Sequence, residues 1–244
     1  MFFRKQKPQQ NFSLLVDFHN HLLPGWDDGS SSIEETIEMV KEFASFGYKK
    51  IVFSPHFYPA LFPKIEDIKS IFKHAKTKLV SVFPDIDFHL AAEYMMDDTF
   101  DNVLHSSELL SFGSKHILIE FPLTHFKNLF LQYIQELLLK NYTPIIAHIE
   151  RYDYFEDNDI LFDFLNAGVQ LQINFLSLIG YYNSKFPKFQ KRAKKLIDIL
   201  PEFYLCSDLH NINQLPYVKV FFENFKINTR IQAKILNFRL FELL

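Results

Sequence analysis

Histidines and carboxylates recur in this sequence where short apolar runs end. Six of the seven predicted β-strands end in such residues or run directly into them, namely His19, His21, His56, Glu93, Glu120, His148, Asp208 and His210. Taken singly, each is more often an ordinary residue at the rim of a sheet. Together they are the residue types that bind divalent metals, and the carboxyl ends of parallel strands meet on one face. The pattern therefore predicts a metal site.

The spacing within two of these groups predicts more than one metal ion. In an extended chain, residues i and i+2 point to the same side, so His19 and His21 can share an ion. Asp208 and His210 repeat this relation near the other end of the chain. The segment Asp27-Asp28-Gly29-Ser30 fits either a simple turn that starts a helix or a part of the site. Five further histidines are predicted to be structural: His74, His89, His105, His116 and His125.

Strands and helices alternate along the chain. Strands are predicted at Ser13–Phe18, Lys50–Ser54, Asp87–Ala92, His116–Glu120, Thr143–Ala147, Val169–Asn174 and Phe203–Cys206. Helices are predicted to begin near Ile33, Ile65, Asn128, Ile160, Pro187 and Val218, with a last one ending at the C-terminus. Apolar strands separated by helices are typical of a parallel sheet covered by helices. At this length we expect an α/β fold with a closed or nearly closed barrel.

Composition narrows the function. The chain has 244 residues, a net charge of −3 and one cysteine. This balance argues against a dedicated nucleic-acid binder and against a disulfide framework. The N-terminus lacks the apolar region of a signal peptide, and no segment is apolar enough to span a membrane. We expect residues 1–12 to be a flexible tail, residues 13–244 to form one domain, and the protein to be cytoplasmic.

Six motifs occur in order over about residues 13–215. They are HNH at 19–21, SPH at 54–56, AAE at 91–93, LIEFP at 118–122, AHIERYD at 147–153 and CSDLHN at 206–211. This set resembles the PHP (polymerase and histidinol phosphatase) superfamily. The DDGS and AHIERYD segments resemble its bacterial metal-dependent protein-tyrosine phosphatases of the CpsB/CapC/YwqE type, encoded beside capsule and exopolysaccharide genes. The resemblance implies a distorted (β/α)7 TIM-like barrel.

The resemblance also implies a site with three divalent ions, of which Mn is the first expectation and Fe, Co or Zn are alternatives. Nine side chains would hold the ions: His19, His21 and Asp208 the first; Glu93, Glu120 and His148 the second, with Glu93 bridging; Asp28, His56 and His210 the third. Arg151 matches the arginine that family members use on the phosphate, and Asp28, His56 and His210 are the other expected catalytic residues. The family usually has Asn-Pro near the C-terminal helix, whereas this chain has Leu236-Asn237-Phe238, which leaves the packing of that helix open.

The charges of these residues fit a phosphatase. Three divalent ions on four carboxylates and five neutral histidines would leave about two positive charges, to which Arg151 adds one. Such a site attracts a phosphate dianion, and we expect a metal-bridging hydroxide to attack phosphorus directly. A cysteine nucleophile is not expected, because phosphatases of that class carry an arginine six residues after the cysteine. Here Ile212 stands six residues after Cys206.

Substrate recognition has two interpretations. The aromatic segment 57–62, with Phe57 and Tyr58, either lines an entrance that stacks a phosphotyrosine ring or caps the core. Asp27, Glu150 and Asp153 are candidates for groups that support the ligands.

We expect a protein-tyrosine phosphatase that acts on the tyrosine-rich tail of a membrane-bound tyrosine autokinase in polysaccharide export. This partner rests on the family resemblance alone. The alternatives are a histidinol-phosphate phosphatase or another small-molecule phosphomonoesterase of the same fold, and a metal-bound interaction module without activity.

Overall fold

A computed structural model describes residues 14–61, 63–106, 109–155 and 159–243. The predicted tail, residues 1–12, lies outside the described residues. The strands are β1 (Val16–Asp17), β2 (Lys50–Phe53), β3 (His56–Phe57), β4 (Asp87–Leu90), β5 (Glu93–Met95), β6 (His116–Glu120), β7 (Thr143–Ile146), β8 (Gln170–Asn174) and β9 (Tyr204–Cys206). The α-helices are α1 (Ile33–Ser45), α2 (Ile65–Val82), α3 (Phe100–Ser106), α4 (Asn128–Leu139), α5 (Asp159–Asn166), α6 (Phe175–Leu178), α7 (Pro187–Ile199), α8 (Leu215–Asn224), α9 (Thr229–Gln232) and α10 (Asn237–Leu243).

All strand pairings between these elements are parallel, and the strands follow one another round a curled sheet. One sheet has the order β1-β2-β4 and the other the order β3-β5-β6-β7-β8-β9. Because β3 continues the chain of β2, and β5 continues β4, the two sheets run into each other. A parallel bridge between Asn20 and Leu209 links the first and last segments, with Asp208 N donating to His19 O at 2.8 Å. The predicted α/β barrel is confirmed.

Beyond two predicted strands, Lys50–Ser54 and Asp87–Ala92, the chain forms a further short strand that was not predicted, β3 and β5 respectively. The break between β2 and β3 falls at Ser54-Pro55, where proline has no N–H to give to the sheet. The Pro55 carbonyl instead accepts the Glu93 amide at 3.0 Å, across the equivalent break between β4 and β5. Both strands resume beyond the break and deliver His56 and Glu93 in register with each other.

Several helix ends have a local cause in the sequence. Ser32 caps α1, its side chain accepting from the Glu35 amide, and Gly47 and Gly168 have φ of 84° and 91° after α1 and α5. The helix predicted near Val218 begins earlier, at Leu215, with Pro216 in its first turn. Sequence reasoning missed three short helices, α3, α6 and α9, because four to seven residues give no amphipathic repeat to detect.

The core has two layers. Side chains inside the barrel form a small cluster that includes Phe18, Val52, Leu118 and Cys206, while a larger cluster lies between the sheet and its helices. Cys206 is fully buried, which agrees with its predicted role as a small apolar residue. Within the described residues, no helix is both long enough and apolar enough to cross a membrane.

Asn237 explains how the C-terminal helix packs. Its buried side chain donates to the carbonyls of Val16 (3.0 Å) and Leu205 (2.8 Å) and accepts from the Leu205 amide at 3.0 Å. The side-chain amide thereby replaces a peptide group between β1 and β9, at a level where these strands do not pair with each other. The question that Leu236-Asn237-Phe238 left open is resolved, since Asn237 fastens α10 to the barrel.

Candidate metal centre

The nine side chains predicted to bind metal lie together at the carboxyl end of the barrel. They come from six of the seven strand segments or from the loops directly after them. They form overlapping groups of three or four, within each of which the candidate ligand atoms lie within 4.8 Å of one another: His21, Asp28, His56 and His210; His19, Glu93 and His148; His19, His21 and Asp208; His56, Glu93 and Glu120. The fold therefore assembles one site from remote parts of the sequence, while the binding of metal by each residue stays a prediction.

Glu93 lies at the middle of the site. Its Oε1 is 3.1 Å from His19 Nε2 and 3.2 Å from His148 Nε2. Its Oε2 is 3.0 Å from His56 Nδ1 and 3.4 Å from His21 Nε2. A carboxylate with imidazoles against both oxygens can bridge two ions, as predicted for Glu93.

Asp208 connects the inner histidines to Arg151. Its Oδ1 is 3.3 Å from Nε2 of both His19 and His21. Its Oδ2 pairs with the Arg151 guanidinium and accepts a hydrogen bond from Asn174 Nδ2 at 2.8 Å. Asp208 can therefore bind an ion through one oxygen while it orients an arginine through the other.

Asp28, His56 and His210 form the outer side of the site. Asp28 Oδ1 lies 3.5 Å from His56 Nε2 and 3.6 Å from His210 Nε2, and the Asp28 side chain is 71% exposed. The His210 ring stacks on His21 with centroids 3.8 Å apart. This group faces the solvent, so a substrate would meet it first.

The position of Glu120 differs from the predicted grouping. It was expected beside His148, but its Oε1 is 3.2 Å from His56 Nδ1, whereas its Oε2 is 3.6 Å from His148 Nε2. The physical reason is the strand order, since β3, β5 and β6 are neighbours that bring His56, Glu93 and Glu120 to one edge. All nine side chains share the site, but their division among ions is less sharp than predicted.

The donor atoms of the site fit bound cations. Seven buried atoms of the nine side chains lack a hydrogen-bond partner within the described residues: His19 Nε2, His21 Nε2, His56 Nδ1, His148 Nδ1, both Glu93 oxygens and Glu120 Oε1. Buried polar atoms are rarely left without a partner, because desolvating them costs free energy. A set of imidazole nitrogens and carboxylate oxygens that converge in this way is the donor set of a transition-metal or Zn site.

The pKa values also indicate that the buried carboxylates of the site are stabilised by positive charge. Burial alone would lower the pKa of His19, but the carboxylates of Glu93 and Asp208 raise it to about 10. Burial would raise the pKa of Glu93, and the imidazoles of His19 and His56 instead hold it well below its usual range. Divalent ions would displace the imidazole protons and take over the neutralisation of the carboxylates.

Two residues that sequence reasoning missed orient the ligands from β8. Gln172 Oε1 accepts from His19 Nδ1 at 2.9 Å and from the His148 amide at 2.7 Å. Gln172 Nε2 donates to Asn174 Oδ1 at 2.7 Å, and Asn174 Nδ2 donates to Asp208. The available signal was the run Gln170–Asn174, in which alternate polar residues interrupt a buried strand. This network directs His19 Nε2 towards Glu93 and Asp208 in the middle of the candidate site.

Asp27 and Gly29 explain the DDGS segment. Asp27 Oδ2 accepts from His21 Nδ1 and from the His56 amide, both at 2.9 Å. Burial opposes ionisation of Asp27, but the hydrogen bond from His21 lowers its pKa to about 2. A Cβ at Gly29 would lie 2.1 Å from the His21 carbonyl oxygen, so only glycine permits this close approach. Of the two interpretations, the segment is therefore part of the site.

Two of the predicted ligands have unusual backbone conformations. His148 has φ of 32° and Asp208 has φ of 52°, in the left-handed region that non-glycine residues seldom adopt. The His148 amide is held by Gln172 and the Asp208 amide by the His19 carbonyl. Strain of this kind persists where surrounding contacts fix it, and it is concentrated at functional sites.

Arg151 lies beside the ligands at the edge of a cavity. Its guanidinium pairs with Asp208 and stacks over the Tyr182 ring, 4.7 Å from the centroid. The side chain is 15% exposed, and the cavity it lines has a volume of about 510 Å³. Burial disfavours the charged guanidinium, but Asp208 raises its pKa above the ordinary value, so Arg151 stays a cation. It is therefore a fixed positive charge at the entrance.

In the aromatic segment after His56, one residue packs in the core and the next lines a cavity. Phe57 is buried and packs against Tyr94 with centroids 5.0 Å apart, so its ring faces the core and does not line the entrance as predicted. The cause is strand alternation, which turns Phe57 away from the side that carries His56. Tyr58 stacks on His56 at 4.7 Å and lines a second cavity, of about 340 Å³. Phe62 lies outside the described residues.

The remaining candidates separate by burial. Glu150 is fully buried and accepts from Ser177 Oγ at 2.6 Å, behind Arg151, whereas Asp153 is exposed and lies 3.6 Å from Lys188. Of the acids considered as supporting groups, Asp27 alone contacts predicted ligands directly within the described structure. The other histidines lie outside the nine-residue site: His74, His89, His105, His116 and His125.

The chain is similar to several known proteins in sequence and in fold. A family model described as capsular polysaccharide synthesis, CpsB/CapC, matches residues 15–224. CapC of Staphylococcus aureus is 31% identical over 207 residues, covering 84% of this chain and 80% of CapC. Tyrosine-protein phosphatase YwqE of Bacillus subtilis is 29% identical over 203 residues, covering 81% and 78%. A crystal structure from a study of the metal-dependent tyrosine phosphatases YwqE of B. subtilis and CpsB of Streptococcus pneumoniae shares the fold, with a TM-score of 0.78 over 94% of both chains and 24% identity.

Proposed function

The chain belongs to the CpsB/CapC family of capsular polysaccharide synthesis, and from this membership we propose that it is a metal-dependent protein-tyrosine phosphatase. The observation that carries the proposal is the convergence of histidine and carboxylate atoms, several without a hydrogen-bond partner, beside an arginine at the edge of a cavity. Phosphoryl transfer needs such a cluster of positive charge, because charge develops on the phosphoryl oxygens in the transition state.

The protein residues have distinct tasks in this reaction. When bound, the ions would polarise the phosphoryl group and supply a nucleophile from water. Arg151 donates hydrogen bonds to the phosphoryl oxygens from a position fixed by Asp208 and Tyr182. The leaving tyrosinate needs little help from an acid, because a phenol has a pKa of about 10. The reaction passes through no covalent intermediate on the protein.

We assign three ions to the nine side chains, with Glu93 between the inner two and with Asp28, His56 and His210 on the outer one. Manganese is the first choice, and iron, cobalt and zinc are compatible with a mixed set of imidazole and carboxylate ligands. Arg151, Asp28, His56 and His210 are the proposed catalytic residues, because they lie on the side of the site that faces the cavities. Tyr58 remains a candidate contact to the substrate.

The physiological substrate in this proposal is the tyrosine-rich tail of a membrane-bound tyrosine autokinase. The enzyme would dephosphorylate this tail in the cytoplasm. The family model's description, capsular polysaccharide synthesis, supports a role in the control of capsule or exopolysaccharide production.

One experiment tests the proposal. The purified full chain is analysed for metal content, and phosphate release from a phosphotyrosine peptide is measured before chelation, after chelation and after metal add-back. We expect about three equivalents of transition metal, loss of activity on chelation and recovery on add-back. A metal-loaded protein that hydrolyses histidinol phosphate but no phosphotyrosine peptide would overturn the assignment to tyrosine. A protein that binds metal and hydrolyses no phosphate ester would overturn the proposal that it is an enzyme.

A matched variant separates this mechanism from thiol chemistry. Cys206→Ser changes the one cysteine, which is buried and is not among the nine predicted ligands, so activity should stay within about threefold of the parent. Arg151→Lys keeps the charge but loses the planar pair of donors, so kcat/KM should fall by about 100-fold. A folded Cys206→Ser protein without activity would count against the metal mechanism.

A further inference from the structure

The cavity beside Arg151 has aromatic walls. It is lined by Tyr181, Tyr182, Phe186 and Tyr217, while Arg151, Asp208 and His210 line the part that reaches the candidate metal centre. Phe186 is 46% exposed and Tyr217 is 43% exposed, although both are large apolar side chains. A volume of about 510 Å³ lies in the range of sites that bind small organic groups. The cavity therefore offers rings to a ligand that reaches the metals.

These walls are packed against one another. The Tyr181 ring meets Tyr217 edge-on at 4.7 Å and Tyr182 at 4.8 Å. Phe186 stacks on the buried Phe189 at 4.8 Å. Rings that already contact each other lose little conformational entropy when a further ring packs on them. The surface is thus preorganised for an aromatic ligand.

The segment that carries these rings is fastened to α7. Gly180 has φ of 80°, and a Cβ there would lie 2.5 Å from Asn183 Nδ2. Asn183 Nδ2 donates to Gln190 Oε1 at 2.9 Å, and Gln190 Nε2 donates to the Leu178 carbonyl at 3.0 Å. The tyrosine segment therefore keeps a fixed position relative to Arg151.

One edge of the cavity is basic. Lys185 lines it, and Lys188 follows three residues later in the first turn of α7, both of them exposed. Residues 185–197 contain six lysines and arginines and no acidic residue, in a chain whose net charge is −3. Among the residues that the structure describes, no carboxylate lies within ion-pair distance of Lys185, and Lys188 has a 3.6 Å contact with Asp153. This edge can attract a negative group next to the aromatic walls.

We propose that this cavity is the peptide-binding subsite of the enzyme: it takes the ring of a phosphotyrosine against Tyr181, Tyr182 and Tyr217, and an acidic residue beside it against Lys185 and Lys188. The inference rests on the proposed function. Offset and edge-on ring contacts favour an aromatic side chain over phosphoserine, whose phosphorus would reach the ions without filling the cavity. The lysines add a preference for acidic sequence, because opposite charges steer and hold the peptide.

The second cavity does not fit the phosphotyrosine as well. It is lined by Trp26, Tyr58 and Leu61 on the other side of Asp28, and none of its lining residues is a lysine or an arginine. A phosphorylated ring there would lack Arg151 and the basic edge.

Ring binding is tested with Tyr217→Ala in the metal-loaded full chain. We expect KM for free phosphotyrosine to rise about 3- to 10-fold while kcat changes little, since ring contacts contribute about 0.5–1.5 kcal/mol. The inhibition constant of inorganic phosphate, which has no ring, should stay the same. An unchanged KM, or an equal rise in the phosphate inhibition constant, would overturn the ring assignment.

The basic edge is tested with Lys185→Glu and with Lys195→Glu as control. Both substitutions change the net charge equally, but Lys185 precedes α7, whereas Lys195 lies eight residues, about 12 Å, beyond the first residue of that helix. Affinity for peptides that carry a non-hydrolysable phosphonomethyl-phenylalanine is measured with acidic or basic neighbours. We expect the parent and Lys195→Glu to prefer the acidic peptide about 10-fold, and Lys185→Glu to lose this preference. Equal losses in both variants, or no preference in the parent, would overturn the basic subsite.

These measurements keep the two proposals apart. Absence of hydrolysis of phosphotyrosine and p-nitrophenyl phosphate would refute the proposed function, while peptide affinity still reports on the subsite. Sedimentation with vesicles of phosphatidylglycerol serves as a further arm. Vesicle binding that both lysine variants lose, without any peptide preference in the parent, would assign the lysines to an anionic lipid surface and overturn the subsite.

Discussion

Two sets of buried polar side chains adjoin each other in the barrel, and they differ in where their partners come from. The first, which we name the interlock, comprises Asp17, Asn20, Ser54 and Ser207. Asp17 accepts from Asn20 Nδ2 at 2.9 Å and from the Ser207 amide at 2.8 Å, and Ser54 Oγ accepts from the Asn20 amide at 3.1 Å. Within the described residues, Asn20 Oδ1 is the one buried side-chain atom of the interlock without a partner.

The candidate metal centre, only a few residues further along the same strands, is the opposite case. Seven buried nitrogen and oxygen atoms of its nine side chains lack a hydrogen-bond partner within the described structure. Both sets pay the cost of desolvation, but the interlock recovers it through the chain itself and thereby ties β1 to β2 and β9. The comparison teaches that satisfied polar groups hold strands together, whereas convergent groups without partners need an ion from outside.

Glu93→Gln should produce the largest effect on function. The change removes one of the two oxygens with which Glu93 can bridge ions, so the metal content should fall. We expect kcat/KM to drop by more than about 100-fold, which exceeds the loss typical of residues that only hydrogen-bond to metal ligands. Metal also stabilises the parent by binding the folded state, and this increase in melting temperature should be largely lost. Calorimetry with and without added metal measures it. A Glu93→Gln protein with full metal content would break the comparison.

Asp17→Ala should have the opposite profile. It leaves the Ser207 amide without its acceptor in a buried place, so the free energy of unfolding should fall by about 2–4 kcal/mol. The increase in melting temperature on metal addition should remain, because Asp17 is not a predicted ligand. Urea denaturation in the presence of chelator measures the loss, and Asp17→Asn, which keeps one acceptor, is the control. If Asp17→Ala abolished metal binding at unchanged stability, the interlock would belong to the site.

Much of the site could be predicted from the sequence because its signals are local. Six strands that end in metal-binding residue types, and two pairs at spacing i and i+2, identified His19, His21, Asp208 and His210 from residue order alone. Parallel strands then bring such ends together whatever the details of the loops. The family resemblance supplied Asp28 and the proposed division among ions.

The features that could not be predicted from the sequence depend on which residues become neighbours in the folded chain. Phe57 is one residue from a predicted ligand, yet strand alternation buries its ring. The aromatic cavity uses Tyr182 and Tyr217, which are 35 residues apart and meet only in the folded chain. Gln172 and Asn237 are neutral residues whose roles depend on which backbone groups they reach.

Gln172→Ala sharpens the comparison between the interlock and the metal centre. The Gln172 side chain has its own hydrogen bonds satisfied, and it orients His19, whose Nε2 has no hydrogen-bond partner within the described residues. Without its carbonyl, the orientation of His19 and the strained backbone at His148 lose their support. We expect metal affinity or kcat/KM to fall by about 10- to 100-fold, less than for Glu93→Gln, as is typical of groups behind the ligands. Metal titration and steady-state kinetics measure this. Gln172→Glu, which keeps an acceptor for His19, should recover part of the loss, whereas equal losses would indicate a purely steric role.

Glu35→Gln should have the smallest effect, because Glu35 is a satisfied polar group that is not buried. Its carboxylate accepts from the Ser31 amide and hydroxyl and from the Ile212 amide, two residues beyond His210. Slight burial opposes ionisation, but the hydrogen bonds from Ser31 lower the pKa of Glu35 below its ordinary value. Because its pKa is lower in the folded state, the ionised Glu35 carboxylate stabilises the fold at any pH above its pKa in the unfolded chain, about 4.3. This contribution is lost as the pH falls through the pKa of Glu35 in the folded state. At pH 7 the variant should therefore be less stable by under about 1 kcal/mol, with the difference decreasing as the pH falls below about 4.3 and with kcat unchanged. Urea titrations of both proteins across this pH range measure the difference, and a large fall in kcat would mean that Glu35 positions the His210 loop for catalysis.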